Sequence, residues 1–353
     1  MKKRTIAILF GGKSSEYSVS LESAYAVLSH IDKTRYDIYM VGITQKGEWF
    51  HFEGDIEKIK NDTWKDEFMN HVMICPEPQR QSFIELTKIG IFYKQIDAIM
   101  PIMHGKNGED GTLQGIVTMA NIPLIGCGVL SSSLCMDKYR AHEIVEKNGI
   151  QTPYAIVAST YNIQSQKEEI FNMNLPLYIK PVHAGSSYGM SRIDCFEKLD
   201  EALKEAFHYD DEVIIEEEVH GFEVGCAIMG IEELTVGRVD EIELTKGFFD
   251  FKEKYTLQTS SIHMPARIPQ EIEMKVQETA KRIYRLLGCR VFARVDMFLT
   301  PSYDIVFNEV NTIPGFTSHS RYPHMMQGIG MDFQTLITQL IEMGLQNANN
   351  TNF

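Results

Sequence analysis

The sequence is short of paired cysteines, of positive charge and of long apolar runs, and each shortage closes a class of function. Its six cysteines (Cys75, Cys127, Cys135, Cys195, Cys226 and Cys289) are scattered over 353 residues, with no C-x-x-C pair and no histidine cluster at zinc spacing. That excludes a disulfide framework and a zinc ribbon, and it suits a reducing cytoplasm. Lysine and arginine total 34 against 48 aspartates and glutamates, a formal net charge of −14. Such a surface repels a polyanion, so no nucleic-acid partner is expected and small anions must be held by local positive sites. No apolar run approaches the ~20 residues that span a bilayer, so no membrane partner is expected either. Lys2-Lys-Arg4 before Thr5-Ile-Ala-Ile-Leu-Phe10 imitates a signal peptide, but the run is short and ends in Gly11-Gly12 without a cleavage site; it predicts a first strand. Two nucleotide fingerprints are missing as well. Without G-x-G-x-x-G a nicotinamide cofactor is not expected, and without G-x-x-x-x-G-K-[ST] any ATP must be bound by a fold other than the Walker type.

What remains is an ordinary globular composition, 44% hydrophobic, in a chain long enough for two or three packed lobes. Its most informative stretch is Val291-Phe-Ala-Arg-Val-Asp-Met-Phe-Leu299 followed by Ile305-Val-Phe-Asn-Glu-Val-Asn-Thr-Ile-Pro-Gly315. Both arms are rich in Val, Ile and Phe, and Pro301 to Asp304 between them is turn chemistry. Pairing Thr300 with Ile305 places Arg294 opposite Asn311 and Asp296 opposite Glu309, all four on one face. Val291, Ala293, Val295, Met297 and Leu299 then form a core face. Two carboxylates opposed across a strand pair repel unless a cation lies between them. Hard oxygen donors suit Mg²⁺ bridging to phosphates. Arg294 adds a fixed positive charge, and Thr312-Ile-Pro-Gly315 adds a turn with backbone N–H groups for an anion.

In chain order, strand 5–10 and a helix over 19–30 make a strand, glycine turn, helix unit of α/β type. Strands follow at 36–43 and 48–52, while residues 54–92 are mixed, charged and irregular. Ile96 to Met103 is a buried strand delivering His104-Gly-Lys-Asn-Gly-Glu-Asp-Gly111 at its carboxyl end, where α/β sheets hold ligands. A helix over 112–120 and a strand over 122–125 close a first lobe. A second has a helix over 131–147 carrying Lys138, a strand ending in Lys180, and a glycine and serine loop, Pro181 to Met190, able to fold over phosphates. A third begins in the acidic strand 212–219 and contains Glu223, the carboxylates of 240–243, a polar-aromatic lid with Lys254 and Tyr255, and amphipathic helices over 271–287 and 333–345. The Asn-rich tail from Gln346 is expected to fray.

Gly11-Gly-Lys-Ser-Ser-Glu16, His104-Gly-Lys-Asn-Gly-Glu-Asp-Gly-Thr-Leu-Gln-Gly115, Met136-Asp-Lys138, Lys180-Pro with Gly185-Ser-Ser187, Glu253-Lys-Tyr255, Arg294-Val-Asp296 and Asn308-Glu-Val-Asn-Thr-Ile-Pro-Gly-Phe-Thr-Ser-His-Ser320 occur in one order. That order resembles the D-alanine:D-alanine ligase family of ATP-grasp enzymes. The resemblance implies an α/β, three-lobe ATP-grasp fold with an N-terminal Rossmann-like lobe at 1–126, a central lobe at 127–215, and a C-terminal lobe at 216–353 holding the metal site and a lid at 247–262. It implies ATP between the last two lobes, with Lys138, Lys180, Ser186 and Lys254 on phosphates, Glu216 and Val219 near adenine and Glu223 on the ribose. Asp296, Glu309 and Asn311 would ligate two Mg²⁺ ions, with Mn²⁺ as an alternative. Glu16 would bind the ammonium of the first D-alanine, linked to Ser186 and Tyr255. His104 would lie near the substrates, Arg294 and the Gly315 N–H would meet the oxyanion, and Ser320 would hold the second substrate's carboxylate. A homodimer is usual in the family.

Two positions depart from the plain family pattern. Arg321 follows Ser320 where an aliphatic residue is usual, and Phe249 stands where tyrosine is frequent. This is similar to the D-alanine:D-serine ligases of vancomycin resistance, the VanG and VanC types, with Asp240 placed to orient Arg321. An unmatched donor in that corner prefers a substrate hydroxyl to a methyl. The alternative is a housekeeping D-alanine:D-alanine ligase of cell wall synthesis. The retained Glu253-Lys-Tyr255 points to dipeptide formation rather than to the lactate-type relatives.

Overall fold

The computed structural model describes residues 3–67, 69–185, 187–244, 260–317 and 319–350, and its strands form three sheets of seven, four and five. The apolar run at the start is a strand, Arg4–Gly11, in which Ile6 to Phe10 are fully buried. Such a strand needs cover on both faces. It lies in parallel between Tyr36–Ile43 and Ala98–Ile102. Ile6, Ile8 and Phe10 pack with Leu21, Ala24 and Leu28 of helix Tyr17–His30, whereas Ala7 and Leu9 pack with Leu113 and Val117 of helix Thr112–Met119. Residues 54–92, unreadable by periodicity, extend this sheet. After Trp49–Phe52, the strands Asn70–Ile74, Ser82–Thr87 and Gly90–Gln95 join it one by one, each antiparallel to the last. Trp64 anchors the insertion, fully buried edge-on to Phe10 at 5.1 Å. The expected strand at 122–125 is reduced to a single bridge from Leu124 to Ile99.

The second sheet is antiparallel, from Ala155–Ser159, Leu177–Pro181, Ser191–Ile193 and Glu212–Glu217. Helices Ile163–Phe171 and Leu199–Ala206 cover one face with Ile170, Leu199 and Leu203. The third, also antiparallel, comprises Phe222–Gly230, Leu234–Leu244, Ser260–His263, Val291–Leu299 and Ile305–Asn311. Its core face is the predicted one: Val291, Ala293, Val295, Met297 and Leu299 are all fully buried, and the last four pack with Val276, Ala280 and Ile283 of helix Gln270–Leu286. The helix expected over 131–147 is two, Val129–Met136 and Lys138–Lys147. Asp137 breaks it by taking an extended backbone and accepting the Arg140 N–H at 2.9 Å, the ordinary N-cap arrangement. The last helix, Phe333–Asn350, continues through most of the tail expected to fray. Among the described residues no helix is long and apolar enough to cross a membrane.

Candidate active site

The hairpin Val291–Leu299 and Ile305–Asn311 pairs Arg294 with Asn311 and Asp296 with Glu309, as the alternation requires. The turn end differs by one residue. Leu299, not Thr300, faces Ile305, and a bulge between Asp296 and Met297 on the facing arm absorbs the slip at Asn308. Asp296, 1% exposed, is gripped by Arg294 through Nε to Oδ1 at 2.8 Å and Nη2 to Oδ2 at 2.7 Å. Asn311 Nδ2 donates to Asp296 Oδ2 at 2.9 Å. Burial alone would lower the Arg294 guanidinium, but Asp296 beside it holds its pKa above the ordinary value. Among the described residues no three His, Cys, Asp or Glu side chains are arranged to hold a metal by themselves. Asp296, Glu309 and Asn311 fit Mg²⁺ in another way. Two carboxylates and an amide are hard oxygen donors and leave coordination positions for water and phosphate oxygens.

Beside this face opens a cleft of about 560 Å³ between the second and third sheets. Every described nucleotide candidate lines it: Lys138, Lys180, Glu216, Val219 and Glu223, together with Asn308 and Glu309. Lys180 Nζ donates to Glu216 Oε2 at 2.5 Å. Burial pushes the Glu216 carboxyl up, but Lys180 and His142 outweigh it and the pKa falls below the usual carboxylate value. Lys138 Nζ donates to the Ala184 carbonyl at 2.6 Å, at the base of the glycine and serine loop. That loop is bolted by His183, whose N–H and Nδ1 lie 2.7 and 2.9 Å from Asp210 Oδ2 and whose Nε2 is 3.5 Å from Asp137. Hydrogen bonds to Asp137 and then Asp210 raise the His183 pKa to about 10.

Glu16 and His104 lie close together, and His104 reaches the turn that carries Gly315 through the Ile313 carbonyl. Glu16 is 7% exposed, and a Cβ on Gly185 would lie 3.0 Å from its Oε2. Gly105, with φ +70°, comes closer still: any side chain there would collide with Glu16 Oε2. His104 is buried and both its ring nitrogens are engaged, Nδ1 with the Ile313 carbonyl at 2.8 Å and Nε2 with Ser23 Oγ at 3.2 Å. Burial lowers its pKa, so it is neutral at neutral pH. Glu109 completes a clamp, accepting the Gly105 N–H on Oε2 and the Ile313 N–H on Oε1, each at 2.8 Å. Burial and then the nearby Glu16 push the Glu109 pKa up to about 8. Ser23 Oγ accepts the Phe316 N–H at 3.2 Å. The Pro-Gly turn is thereby held by His104, Glu109 and Ser23 at three backbone positions.

Ser320 Oγ lies at the start of helix Arg321–Gln327, accepting the Thr317 N–H at 3.0 Å. Arg321, the departure from the plain pattern, is 8% exposed and points inward. Asp240 does orient it, with Nε to Oδ2 and Nη2 to Oδ1 both at 2.8 Å. Nη1 donates to Glu223 at 2.6 Å and Nη2 is 3.5 Å from Asp296. The guanidinium is thus matched by three carboxylates rather than left as an unmatched donor. Four of the expected residues, Ser186, Phe249, Lys254 and Tyr255, lie outside the described residues, as does all of the lid but its end at 260–262. Sequence reasoning passed over Glu109, His142, His183 and Asp210. Only Asp137, directly before a helix, carried a legible signal.

The chain matches two family models, D-ala D-ala ligase N-terminus over residues 5–127 and D-ala D-ala ligase C-terminus over residues 144–342. Vancomycin C-type resistance protein VanC1 of Enterococcus gallinarum is 40% identical over 97% of this chain and 98% of its own length. D-alanine–D-alanine ligase of Proteus mirabilis (strain HI4320) is 38% identical over 99% and 98%. The crystal structure of VanG D-Ala:D-Ser ligase from Enterococcus faecalis superposes with a TM-score of 0.91 at 52% identity, covering 97% of this chain and all of that one. The two family models between them cover most of the chain, and the second contains the hairpin and nearly all of the cleft lining: this chain belongs to the D-alanine–D-alanine ligase family.

Proposed function

We propose that the chain is an ATP-dependent ligase that joins D-alanine to D-serine through a D-alanyl phosphate, for altered peptidoglycan precursors of the kind linked to vancomycin resistance. The feature specific to the D-serine reading is Arg321 directly after Ser320, which Asp240, Glu223 and Asp296 hold in place; it sets the shape and charge of the corner beside the expected second-substrate pocket rather than offering a free hydrogen-bond donor. Similarity to the D-Ala:D-Ser ligase supports it.

In the first step a carboxylate oxygen of D-alanine attacks the γ-phosphorus of ATP and ADP leaves. Both partners are anions, so the step needs charge neutralised around it. Lys138 and Lys180 line the cleft for the phosphates, joined by Lys254 and Ser186, while Glu216 and Val219 flank adenine and Glu223 the ribose. Glu16, with Ser186 and Tyr255, holds the substrate ammonium. Mg²⁺ held by Asp296, Glu309 and Asn311 would neutralise phosphate oxygens; two ions are proposed, with Mn²⁺ as an alternative. In the second step the amine of D-serine attacks the acyl carbon, and phosphate leaves when the tetrahedral oxyanion collapses. Arg294 and the Gly315 N–H are the donors proposed for that oxyanion, each worth on the order of 3 kcal/mol when preorganised. The clamp from His104, Glu109 and Ser23 fixes the turn that presents Gly315. Ser320 holds the carboxylate of the second substrate, and Arg321, fixed by Asp240, shapes the corner beside it; Phe249 is the other residue proposed for that pocket. Closure of the lid at 247–262 keeps water from the acyl phosphate.

The three-lobe division proposed above is supported by each sheet falling in one segment, except that strand Glu212–Glu217 runs two residues past 215. A homodimer is part of the proposal, supported by the edge strand Gly90–Gln95, where Ile91 is 63% and Phe92 49% exposed. The mechanism is tested by offering D-alanine with ¹⁸O in its carboxylate. One labelled oxygen should appear in the released phosphate for each dipeptide formed. Dipeptide with unlabelled phosphate contradicts the acyl phosphate.

A further inference from the structure

Asn308 and Glu309 both line the nucleotide cleft. In a regular strand two consecutive side chains face opposite ways. The bulge opposite Asp296 and Met297 is what lets both face the cleft. A bulge releases a backbone carbonyl from the ladder, and Ile305–Asn311 is the edge of its sheet, so no further strand takes it up. His142 does. Its Nε2 lies 2.7 Å from the Asn308 carbonyl, and its ring stands edge-on to Phe307 with centroids 5.4 Å apart. His142 lies one turn beyond Lys138 on helix Lys138–Lys147, so the two share a helix face. Its Nδ1 is 3.8 Å from Glu216 Oε1, on the carboxylate that receives Lys180, and has no hydrogen-bond partner among the described residues. The side chain is only 5% exposed.

We propose that His142 is a positioning residue for the nucleotide and metal end of the site: it pins the Asn308 bulge so that Asn308 and Glu309 face the cleft opposite Lys180 and Glu216. This rests on the ligase reading above. The donating nitrogen is Nε2, because it faces a carbonyl oxygen. Nδ1 faces Glu216 without a hydrogen bond to it, and that carboxylate receives Lys180. Through the Asn308 carbonyl His142 ties its helix to the edge strand of the third sheet beside the cleft where the phosphates are to be held.

Two polar variants separate this role from a merely structural one. In His142→Gln the amide N–H reaches the position of Nε2, whereas in His142→Asn it is too short. Steady-state kinetics with the full-length enzyme are expected to show an approximately tenfold rise in KM for MgATP in His142→Asn, with KM for the amino acids within about twofold, and recovery to within about threefold of the parent in His142→Gln. Mn²⁺ binding in the presence of a non-hydrolysable ATP analogue, followed by electron paramagnetic resonance, should weaken in the same order without reference to turnover. Equal behaviour of the two variants in both measurements overturns the proposal, as does a uniform rise in every KM. A parent enzyme that makes no dipeptide yet shows the Gln and Asn difference in Mn²⁺ binding would sink the ligase reading and leave this one standing.

Discussion

At Asp296 four side-chain nitrogens converge on two oxygens: Nε and Nη2 of Arg294, Nδ2 of Asn311 and, at 3.5 Å, Nη2 of Arg321. Removing its charge leaves two buried guanidiniums facing each other. Asp296→Asn is therefore expected to abolish Mg²⁺-dependent turnover and also to cost about 3 kcal/mol of stability. Glu309→Gln removes a proposed metal ligand at a less buried position and should abolish turnover with a melting temperature near that of the parent. Turnover and thermal denaturation measured on both variants check the distinction. Full Mg²⁺-dependent activity in Glu309→Gln would refute the metal assignment. Gly225 donates its N–H to Asp240 at 3.0 Å, and a Cβ there would collide with Arg321 Nη2 and stand 2.7 Å from Asp240 Oδ1. Gly225→Ala thus displaces Arg321 while keeping every charge. We expect its preference for D-serine over D-alanine to fall roughly tenfold, equivalent to about 1.4 kcal/mol of discrimination, as read by product ratios. The cross-strand quartet was legible because period two and turn chemistry fix it. The partners of Arg321 were legible only in Asp240. Glu223 reaches it from a strand 98 residues away, and no local pattern announces such a contact.

The same limit shows at the scale of elements. The one-residue error at the hairpin turn and its correction by a bulge arise because a turn sequence selects loop length only loosely, while the site's pairing is fixed by burial on the opposite face. Residues 54–92 hid three strands because they lie toward the outer edge of their sheet. All six residues of Gly90–Gln95 are exposed, so no apolar alternation is required of them. Two clamps made by polar side chains, one buried around Glu109 and one more exposed around His183, were equally invisible, and each carries a prediction. Glu109→Gln keeps one oxygen but replaces the other with a donor, so either Gly105 or Ile313 loses its acceptor. We expect kcat to fall by about tenfold, with KM for ATP nearly unchanged, since an unmet buried N–H costs about 1–3 kcal/mol. A rise confined to KM for ATP would contradict a role in holding the Pro-Gly turn. The second clamp is pH-dependent. His183 has a folded pKa raised from its usual 6.5 to about 10 by Asp137 and Asp210. Its contribution to stability is fully present below pH 6.5, declines as pH rises above that, and is lost through about pH 10. His183→Gln should remove this decline from a stability-against-pH profile, whereas an unchanged profile would show that the loop is held by other means.

Across the whole molecule, the fold brings together partners far apart in sequence, His104 with Ile313 and Glu223 with Arg321 among them. The order of the motifs identified the family, and the family carried the fold. The physical alternation of residues carried only the local site. The excess of negative charge, −14, is consistent with a site that concentrates its cations: Lys138, Lys180, Arg294 and Arg321 lie in or beside one cleft and hairpin. The central claim is the identity of the second substrate, and a mass-spectrometric product assay tests it most directly. The enzyme is given ATP and Mg²⁺ near neutral pH, first with D-alanine alone and then with equimolar D-alanine and D-serine. D-alanyl-D-serine is expected to predominate in the mixture; a mixture dominated by D-alanyl-D-alanine would rule out the D-serine assignment and identify a housekeeping ligase.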